Sequence, residues 1–152
     1  IPFAAWRERV AGRHAPIKAV LLDQGVAAGV GNIYADEALF RAGVHPRTPA
    51  ARLDEAALRR LFKAVRAVLR LAIRHGGTTY LNFVNFWGQP GNFRRKLRVY
   101  QRTGEACGRC GASIAREAIG GRSSHYCPEC QPAVGVRVRP GARPSGRGPR
   151  RA

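Results

Sequence analysis

Four cysteines, arranged as two Cys-x-x-Cys pairs, constrain this 152-residue chain more than any other feature. The first pair is Cys107 and Cys110, the second is Cys127 and Cys130, and sixteen residues separate them. Two pairs at such a spacing are typical of a zinc site with four thiolate ligands, whereas a secreted disulfide scaffold is the alternative that the cysteine count permits. We therefore predict that the four cysteines bind one structural Zn²⁺ ion.

The segment between the two pairs predicts a β-hairpin. Residues 113–126 turn at Gly120-Gly121, which places Arg122 at the tip of the hairpin. His125 is an alternative metal ligand, but four thiolates already complete a tetrahedral site, so we interpret it as a hairpin side chain. Upstream, residues 97–101 alternate in hydrophobicity and predict a strand that leads into the zinc module.

The charge of the chain indicates its class of partner. Lysine and arginine number 27 against 9 acidic residues, which gives a formal net charge of +18. Nucleic acids and anionic membranes are the usual partners of such a protein. No apolar run approaches the roughly 20 residues that span a bilayer, and no secretory segment is visible. We expect a cytoplasmic binder of nucleic acid, without a membrane partner.

A glycine-rich turn is the second candidate site. Gly25, Gly29 and Gly31 fall within seven residues, and Asn32 follows them as the predicted N-cap of a helix. Glycines let the backbone adopt positive φ, and a helix N-terminus presents unpaired N–H groups that suit a phosphate. A plain turn is the alternative, since neither a P-loop nor a dinucleotide-binding fingerprint is present.

The rest of the chain predicts a mainly helical fold. Helices are expected over residues 3–12, 17–23 and 32–42 and from Asp54 onward. The last of these is the most periodic: we predict a buried stripe of Leu58, Leu61, Phe62, Val65, Leu69, Ala72 and Ile73. The opposite face carries Arg59, Lys63, Arg66, Arg70 and Arg74, which we interpret as a solvated surface.

Three parts follow from this pattern. Residues 1–93 form the helical part and end in an irregular, aromatic-rich loop at residues 80–93, which is a candidate functional element. Residues 94–131 form the zinc finger. Residues 132–152 carry many arginines and no acidic residue, and we expect them to be a disordered basic tail.

Several motifs occur together in one order. They are Gly-Val-Gly-Asn-Ile-Tyr-Ala-Asp-Glu at residues 29–37, Gly-Gly-Thr-Thr at 76–79, Leu-Arg-Val-Tyr at 97–100 and Arg122 shortly before His-Tyr-Cys at 125–127. In this order the chain, from about Phe3 to Gln131, resembles the formamidopyrimidine-DNA glycosylases. The first motif is similar to that branch rather than to the endonuclease VIII branch. The resemblance implies a helix–two-turn–helix DNA-binding domain followed by a zinc finger.

The resemblance also implies a function and roles for individual residues. The family excises oxidised purines (8-oxoguanine and formamidopyrimidines) from double-stranded DNA in base-excision repair, as a bifunctional glycosylase and AP lyase. Asn32 and Lys18 match positions that bind phosphates beside the lesion or abasic site, and Arg13 matches a further DNA-contacting position. Arg122 matches the finger arginine that holds a phosphate and donates a proton in strand cleavage, and residues 80–93 match the segment that covers the flipped base.

One departure from the family concerns the nucleophile, an N-terminal proline followed by glutamate. Here Pro2 follows Ile1 and precedes Phe3, so the 152 residues contain no matching nucleophile. We expect the chain to be a monomeric, damaged-DNA-binding part of such an enzyme, inactive by itself, whose N-terminal catalytic domain belongs to a longer or separate chain. The alternative is a non-enzymatic zinc-ribbon protein that binds nucleic acid, which explains the charge and the cysteines but not the order of the motifs.

Overall fold

The computed structural model describes residues 1–74 and 97–133. In chain order they form α1 (Phe3–Val10), α2 (Ile17–Leu22), α3 (Asn32–Ala42), a short 3₁₀ helix (Ala50–Arg52), α4 (Glu55–Arg74), and the strands β1 (Ala115–Ile119) and β2 (Arg122–Tyr126). The two strands make one antiparallel sheet. The prediction of a mainly helical part followed by a four-cysteine hairpin is confirmed.

One hydrophobic core holds the helices together. Helix α3 lies at its centre and packs against α2 and α4, while α1 packs against α4. Trp6, Leu21, Leu39 and Leu61 are each at most 2% exposed in this core. Since burying one large apolar side chain contributes roughly 1.5–3 kcal/mol, these contacts fix α3 firmly, and α3 carries Asn32, Asp36 and Glu37 of the site described below.

Helix α4 begins at a position that its sequence explains. The Asp54 carboxylate accepts the Ala57 backbone N–H at 2.8 Å, which is the usual N-cap contact. The predicted stripe is buried or half-buried except at Ile73, where the prediction is wrong because this side chain is 71% exposed. Ile73 lies in the last turn, on the edge of the stripe where Phe62 and Leu69 are already only partly buried.

The turn between α2 and α3 is closed by side chains. The Gly25 N–H donates to the Asp23 carboxylate at 2.8 Å, and the Gly29 N–H donates to the Gln24 amide oxygen at 2.9 Å. Only Gly29 of the three glycines has positive φ, at +87°. The prediction that Asn32 is the N-cap is wrong, because Gly31 occupies that position. Asn32 is the first helical residue, and its side-chain amide donates to the Ser123 carbonyl.

The zinc hairpin forms as the sequence indicates. Ile119 pairs with Arg122 across the turn, and Ala115 pairs with Tyr126 at the other end of the ladder. Gly120 and Gly121 have φ of +60° and +80°, so both central positions of this two-residue turn need the left-handed region that glycine tolerates. The turn therefore fixes the register and puts Arg122 first on β2.

Residues 97–101 do not form a strand, so that prediction is wrong. The backbone N–H groups of Arg98, Val99 and Tyr100 all donate to the Glu37 carboxylate, at 2.8–2.9 Å. These donors are therefore not available to a neighbouring strand, and the segment turns instead, with Arg102 N–H bonded to the Val99 carbonyl at 3.0 Å. The alternation in this segment reflects burial of Leu97 and Val99 alone.

Two predictions lie outside the described residues. They are the irregular loop at residues 80–93, with the Gly-Gly-Thr-Thr motif before it, and the disordered tail, of which only residues 132 and 133 are described. Within residues 1–74 and 97–133, no helix is both long and apolar enough to cross a membrane.

Candidate functional site

The four cysteines converge as their spacing predicts. Their sulfur atoms all lie within 4.8 Å of one another, with 3.9 Å between Cys107 and Cys130 and 3.4 Å between Cys110 and Cys127. A tetrahedral zinc ion at about 2.3 Å from each sulfur would separate the sulfurs by roughly 3.8 Å. The residues present therefore fit Zn²⁺, and these four thiolates would hold it.

Backbone N–H groups orient three of the sulfurs. The N–H groups of Arg109 and Cys130 point at the sulfurs of Cys107 and Cys127 from 3.3 Å, and that of Ala112 points at Cys110 from 3.5 Å. Such donors stabilise thiolates and keep them in position for a metal. Burial raises the pKa of the Cys130 thiol to about 11, so zinc must displace protons from the site when it binds.

A buried ion pair lies beneath the hairpin. The Lys18 ammonium donates to Asp36 Oδ1 at 2.7 Å, and both side chains are at most 1% exposed. The second Asp36 oxygen accepts the His125 backbone N–H at 3.0 Å and lies 2.8 Å from His125 Nδ1. Burial lowers the pKa of Lys18, while the Asp36 charge opposes this effect. His125 is thus engaged by α3 rather than by the cysteines, in line with its interpretation as a hairpin side chain.

Lys18 and Asn32 meet at one atom of the hairpin. The Ser123 carbonyl accepts both the Lys18 ammonium and the Asn32 side-chain amide, each at 3.0 Å. Lys18 donates its third hydrogen bond to the Ser124 hydroxyl at 2.7 Å. Because an ammonium has three hydrogens, Lys18 has none left for a phosphate in this arrangement. Its phosphate contact stays a prediction, and its observed role is to hold the hairpin on α2 and α3.

An open cleft of about 620 Å³ lies between the N-terminus of α3, residues 100–103 and the hairpin. It brings together two of the predicted site residues, Asn32 and Arg122, which are 90 positions apart in the sequence. Arg122 is exposed, and no acidic partner for it occurs among residues 1–74 and 97–133. The lining residues are Asn32, Tyr100, Gln101, Thr103, Arg116, Gly121, Arg122, Ser123 and His125.

Arg13 lies apart from this cleft, at the end of the turn that follows α1. Its guanidinium donates to the Asp23 carboxylate at 3.0 Å, and both side chains remain more than 40% exposed. The Gly25 N–H and, next, Arg13 lower the pKa of Asp23 below its ordinary value. The structure therefore connects Arg13 to the glycine turn but does not bring it to Arg122, and its DNA contact stays a prediction.

The residues that dock the finger on the helices were not predicted from the sequence. Glu37 binds the backbone before the finger, and Gln131 donates to the Val44 carbonyl at 2.9 Å while accepting the Cys127 N–H at 2.8 Å. Arg47 reaches Glu117 at 3.3 Å and the Ala118 carbonyl at 3.0 Å. One signal was present: Asp36 and Glu37 are adjacent acids within a mostly apolar helix of a strongly basic chain, which indicates buried partners.

Comparison with protein families agrees with this geometry. Residues 2–83 match the model of the formamidopyrimidine-DNA glycosylase H2TH domain, and residues 104–133 match that of the zinc finger found in FPG and IleRS. The chain belongs to the formamidopyrimidine-DNA glycosylase family. Family membership, with the four clustered cysteines, makes this a DNA-binding protein with a zinc site.

Curated relatives carry the same name. Formamidopyrimidine-DNA glycosylases of Alkalilimnicola ehrlichii and Pelotomaculum thermopropionicum are 52% and 50% identical over 79% and 78% of this chain. In each case the match covers 43% of the relative, so the chain spans less than half the length of the glycosylases it matches. The matched helical domain favours a member of this glycosylase family over the alternative of a non-enzymatic zinc-ribbon protein, which does not account for that domain.

Solved structures of the family superpose on the fold. The Lactococcus lactis enzyme bound to DNA with an abasic site matches with a TM-score of 0.76 and 36% identity, over 86% of this chain and 48% of that one. The same enzyme bound to FAPY-dG DNA matches with a TM-score of 0.76 and 37% identity, over 86% and 47%. A complex of MutM with carbocyclic 8-oxo-G DNA has a TM-score of 0.74, 37% identity and coverage of 86% and 46%.

Proposed function

We propose that this chain is the damaged-DNA-binding part of a bifunctional DNA glycosylase and AP lyase that excises oxidised purines in base-excision repair. The proposal rests on the cleft that Asn32 and Arg122 both line, where the Ser123 carbonyl accepts a hydrogen bond from the Asn32 amide. The DNA complexes of its relatives, which contain abasic-site, FAPY-dG and carbocyclic 8-oxo-G DNA, support the choice of ligand.

The cleft suits a backbone phosphate of double-stranded DNA. The first N–H groups of α3 have no intrahelical acceptor and point out of the helix N-terminus, where the helix dipole favours an anion. The Asn32 amide has a second N–H besides the one bonded to Ser123, and the Arg122 guanidinium offers a planar set of donors. Together these groups would hold a phosphate between the helical part and the finger.

The proposal assigns binding, and not bond cleavage, to the 152-residue chain. A glycosylase of this kind needs an unprotonated amine as nucleophile. Pro2 follows Ile1, so its nitrogen is an amide, and Lys18 is buried and paired with Asp36. Arg122 steadies a phosphate and can pass a proton, but its charged guanidinium has no free amine lone pair and does not act as a nucleophile. In this proposal, a domain outside these 152 residues supplies the catalytic amine.

The zinc ion has a structural role in this proposal. Four protein ligands leave no open coordination position for substrate or water, which is the arrangement of structural zinc sites. We infer one ion per chain, bound by Cys107, Cys110, Cys127 and Cys130. Its contribution is to fix the hairpin that carries Arg122.

The test is binding without cleavage. We expect the purified chain to bind duplex DNA with a central abasic-site analogue, and Asn32→Ala and Arg122→Ala each to weaken binding by roughly 1–3 kcal/mol, the cost of removing a hydrogen-bonding partner. Arg74→Ala is the matched control, because Arg74 is exposed at the far end of α4. The measurement is a mobility-shift titration, with circular dichroism to verify folding.

Borohydride trapping tests the assignment of roles. Natural abasic-site DNA incubated with the chain should be neither nicked nor reduced to a covalent adduct. An adduct would show that an amine of this chain performs the chemistry and would end the assignment of binding alone. Equal affinity of Asn32→Ala, Arg122→Ala and the control would end the assignment of the cleft.

A further inference from the structure

A second groove lies on the exposed side of α4. It has a volume of about 410 Å³ and is lined by Phe3, Arg59, Phe62, Lys63, Arg66 and Arg70. This side of α4 borders the edge of its buried stripe at Phe62, and α3 packs between α4 and the hairpin strand β2. The groove is therefore separate from the cleft of Asn32 and Arg122, and the proposed function does not use it.

Aromatic rings and guanidinium groups are combined in this groove. The rings of Phe3 and Phe62 meet edge to face, with centroids 5.4 Å apart. The Arg59 guanidinium lies over the Phe3 ring at 4.4 Å, and that of Arg66 lies over the Phe62 ring at 5.6 Å. A guanidinium stacked in this way uses its face on the ring and keeps its N–H edge for an acceptor.

The positive charge of the groove is not neutralised within the described chain. Glu55 pairs with Arg59 at 3.0 Å and with Arg7 at 2.8 Å. Among residues 1–74 and 97–133, Lys63, Arg66 and Arg70 have no acidic partner. Three cations therefore border an apolar floor without a counter-charge.

The remaining residues of this chain cannot supply that charge. All nine acidic residues of the sequence fall within the described ranges, and residues 75–96 and 134–152 contain none. A complementary occupant of the groove is thus another molecule that carries several negative charges. The candidates are an acidic peptide segment and a nucleic acid.

The two aromatic rings on the floor of the groove, Phe3 and Phe62, favour an acidic peptide over a nucleic acid as its occupant. Proteins that bind single strands offer free aromatic faces to the bases, whereas here Arg59 and Arg66 lie over the two ring faces. The rigid backbone of a duplex presents phosphates but no apolar group that would cover Phe3 and Phe62. A peptide supplies both parts, since carboxylates pair bidentately with arginine and one apolar side chain covers the ring edges.

We propose that this groove binds an acidic peptide segment of a partner protein that includes one large apolar side chain. Its carboxylates pair with Lys63, Arg66 and Arg70, and its apolar side chain packs on Phe3 and Phe62. The glycosylase chain would then hold a partner protein on α4 while the cleft at the hairpin holds DNA, because the two surfaces lie on different sides of α3.

Fluorescence anisotropy with a labelled peptide of four aspartates and one phenylalanine tests the proposal on the full chain. Binding should weaken about tenfold when the phenylalanine of the probe is replaced by serine, because the apolar contact is lost. It should also weaken about tenfold for the variant Lys63→Glu/Arg66→Glu. Arg41→Glu is the matched control, since Arg41 is an exposed arginine of α3 outside the groove, and it should bind the probe within about twofold of the original chain.

Each alternative outcome has a defined meaning. Equal weakening by Arg41→Glu and by a single Arg66→Glu change would show a response to net charge alone and would overturn the proposal. Loss of single-stranded or duplex oligonucleotide binding in Lys63→Glu/Arg66→Glu, with the peptide unaffected, would identify a nucleic-acid surface and overturn it as well. Arg70→Gln, which removes the charge and keeps a polar, unbranched side chain, replaces the double variant if circular dichroism shows that the latter is unfolded.

Discussion

At the scale of single residues, the acidic side chains of α3 decide how the finger is held. Asp36 and Glu37 are at most 3% exposed, and each accepts several hydrogen bonds from groups outside its own helix. A buried carboxylate of this kind is costly unless all its partners are present. Their partners come from α2, from the segment before the finger and from β2. The two carboxylates therefore keep all their hydrogen bonds only when these three parts are in place.

Replacement of Asp36 by asparagine should destabilise the protein strongly. The Asn side chain would leave the Lys18 ammonium without a counter-charge and would turn an N–H group toward the His125 N–H. We expect a loss of about 3–5 kcal/mol in the free energy of unfolding, the range for breaking a buried ion pair. Chemical denaturation followed by circular dichroism measures this change.

Asp54→Asn is the control for this substitution. It makes the same chemical change at an exposed N-cap, where asparagine caps a helix as well as aspartate does. Its effect should stay within about 0.5 kcal/mol, as for most surface substitutions. Equal losses in the two variants would mean that the Lys18–Asp36 pair contributes nothing beyond an ordinary surface contact.

The sequence was informative about some residues and silent about others, for a physical reason. The role of the cysteines as zinc ligands was predictable because the spacing of the two Cys-x-x-Cys pairs indicates it. The position of Arg122 followed from the two glycines of the turn. The burial of Lys18 was not predictable, because it depends on Ser123 and Ser124, more than 100 positions away. Asn32 was assigned as a cap from local preference, but its contact with Ser123 is also distant in sequence.

At the scale of elements, the finger has only a small core, which it shares with Phe40 of α3. It consists of Phe40, Val99, Cys107, Ala112, Ile114 and Cys127, two of which are metal ligands. The helices, by contrast, share the larger core around Trp6, Leu21 and Leu39. The finger therefore relies on metal binding for its folding free energy, whereas the helices do not.

Removal of zinc should unfold the hairpin and leave most of the helical signal. A chelator at neutral pH is expected to abolish the cross-strand nuclear Overhauser contacts between Ala115 and Tyr126, while the helical circular dichroism persists. Cys110→Ser should produce the same state without a chelator, and added zinc should restore only the original chain. Intact cross-strand contacts in a chain shown by metal analysis to be zinc-free would contradict this expectation.

The elements themselves were predicted where local patterns suffice. The four helices and the hairpin carry periodicity, glycine stops and an Asp cap that act over a few residues. Residues 97–101 have the alternation of a strand, yet their N–H groups bind the Glu37 carboxylate, which no local pattern reveals. Ile73 matches the helical period but lies where the neighbouring elements no longer cover the helix.

At the scale of the whole molecule, the charge is distributed unevenly between inside and surface. Asp36 and Glu37, two of the nine acidic residues, are buried together with one base, Lys18, so burial removes more negative than positive charge from the surface of a chain with a net charge of +18. The surface is therefore more basic than the composition alone implies. In a DNA-binding protein, so basic a surface makes counterion release a major contribution to the affinity for DNA.

The salt dependence of DNA binding should separate the roles of Arg122 and Asn32. The logarithm of the affinity is expected to fall linearly with the logarithm of salt concentration, by about 0.9 for each phosphate neutralised. Arg122→Ala should reduce this slope by about 1, whereas Asn32→Ala should lower affinity at every salt concentration without changing the slope, since its amide is neutral. Titrations across a salt series measure both, and a slope unchanged by Arg122→Ala would remove that residue from the phosphate contacts.

The contacts made by Asp36, Glu37 and Asn32 have a consequence for how this protein can diverge. Their acceptors and donors on the finger side are chiefly main-chain groups: the Ser123 carbonyl, the His125 N–H and the N–H groups of residues 98–100. A main-chain group stays the same when its side chain is substituted. Side chains on the outer surface of the finger can therefore be substituted and adapt to new DNA contexts without loss of these contacts. The three residues on α3 meanwhile keep the finger docked on the helices.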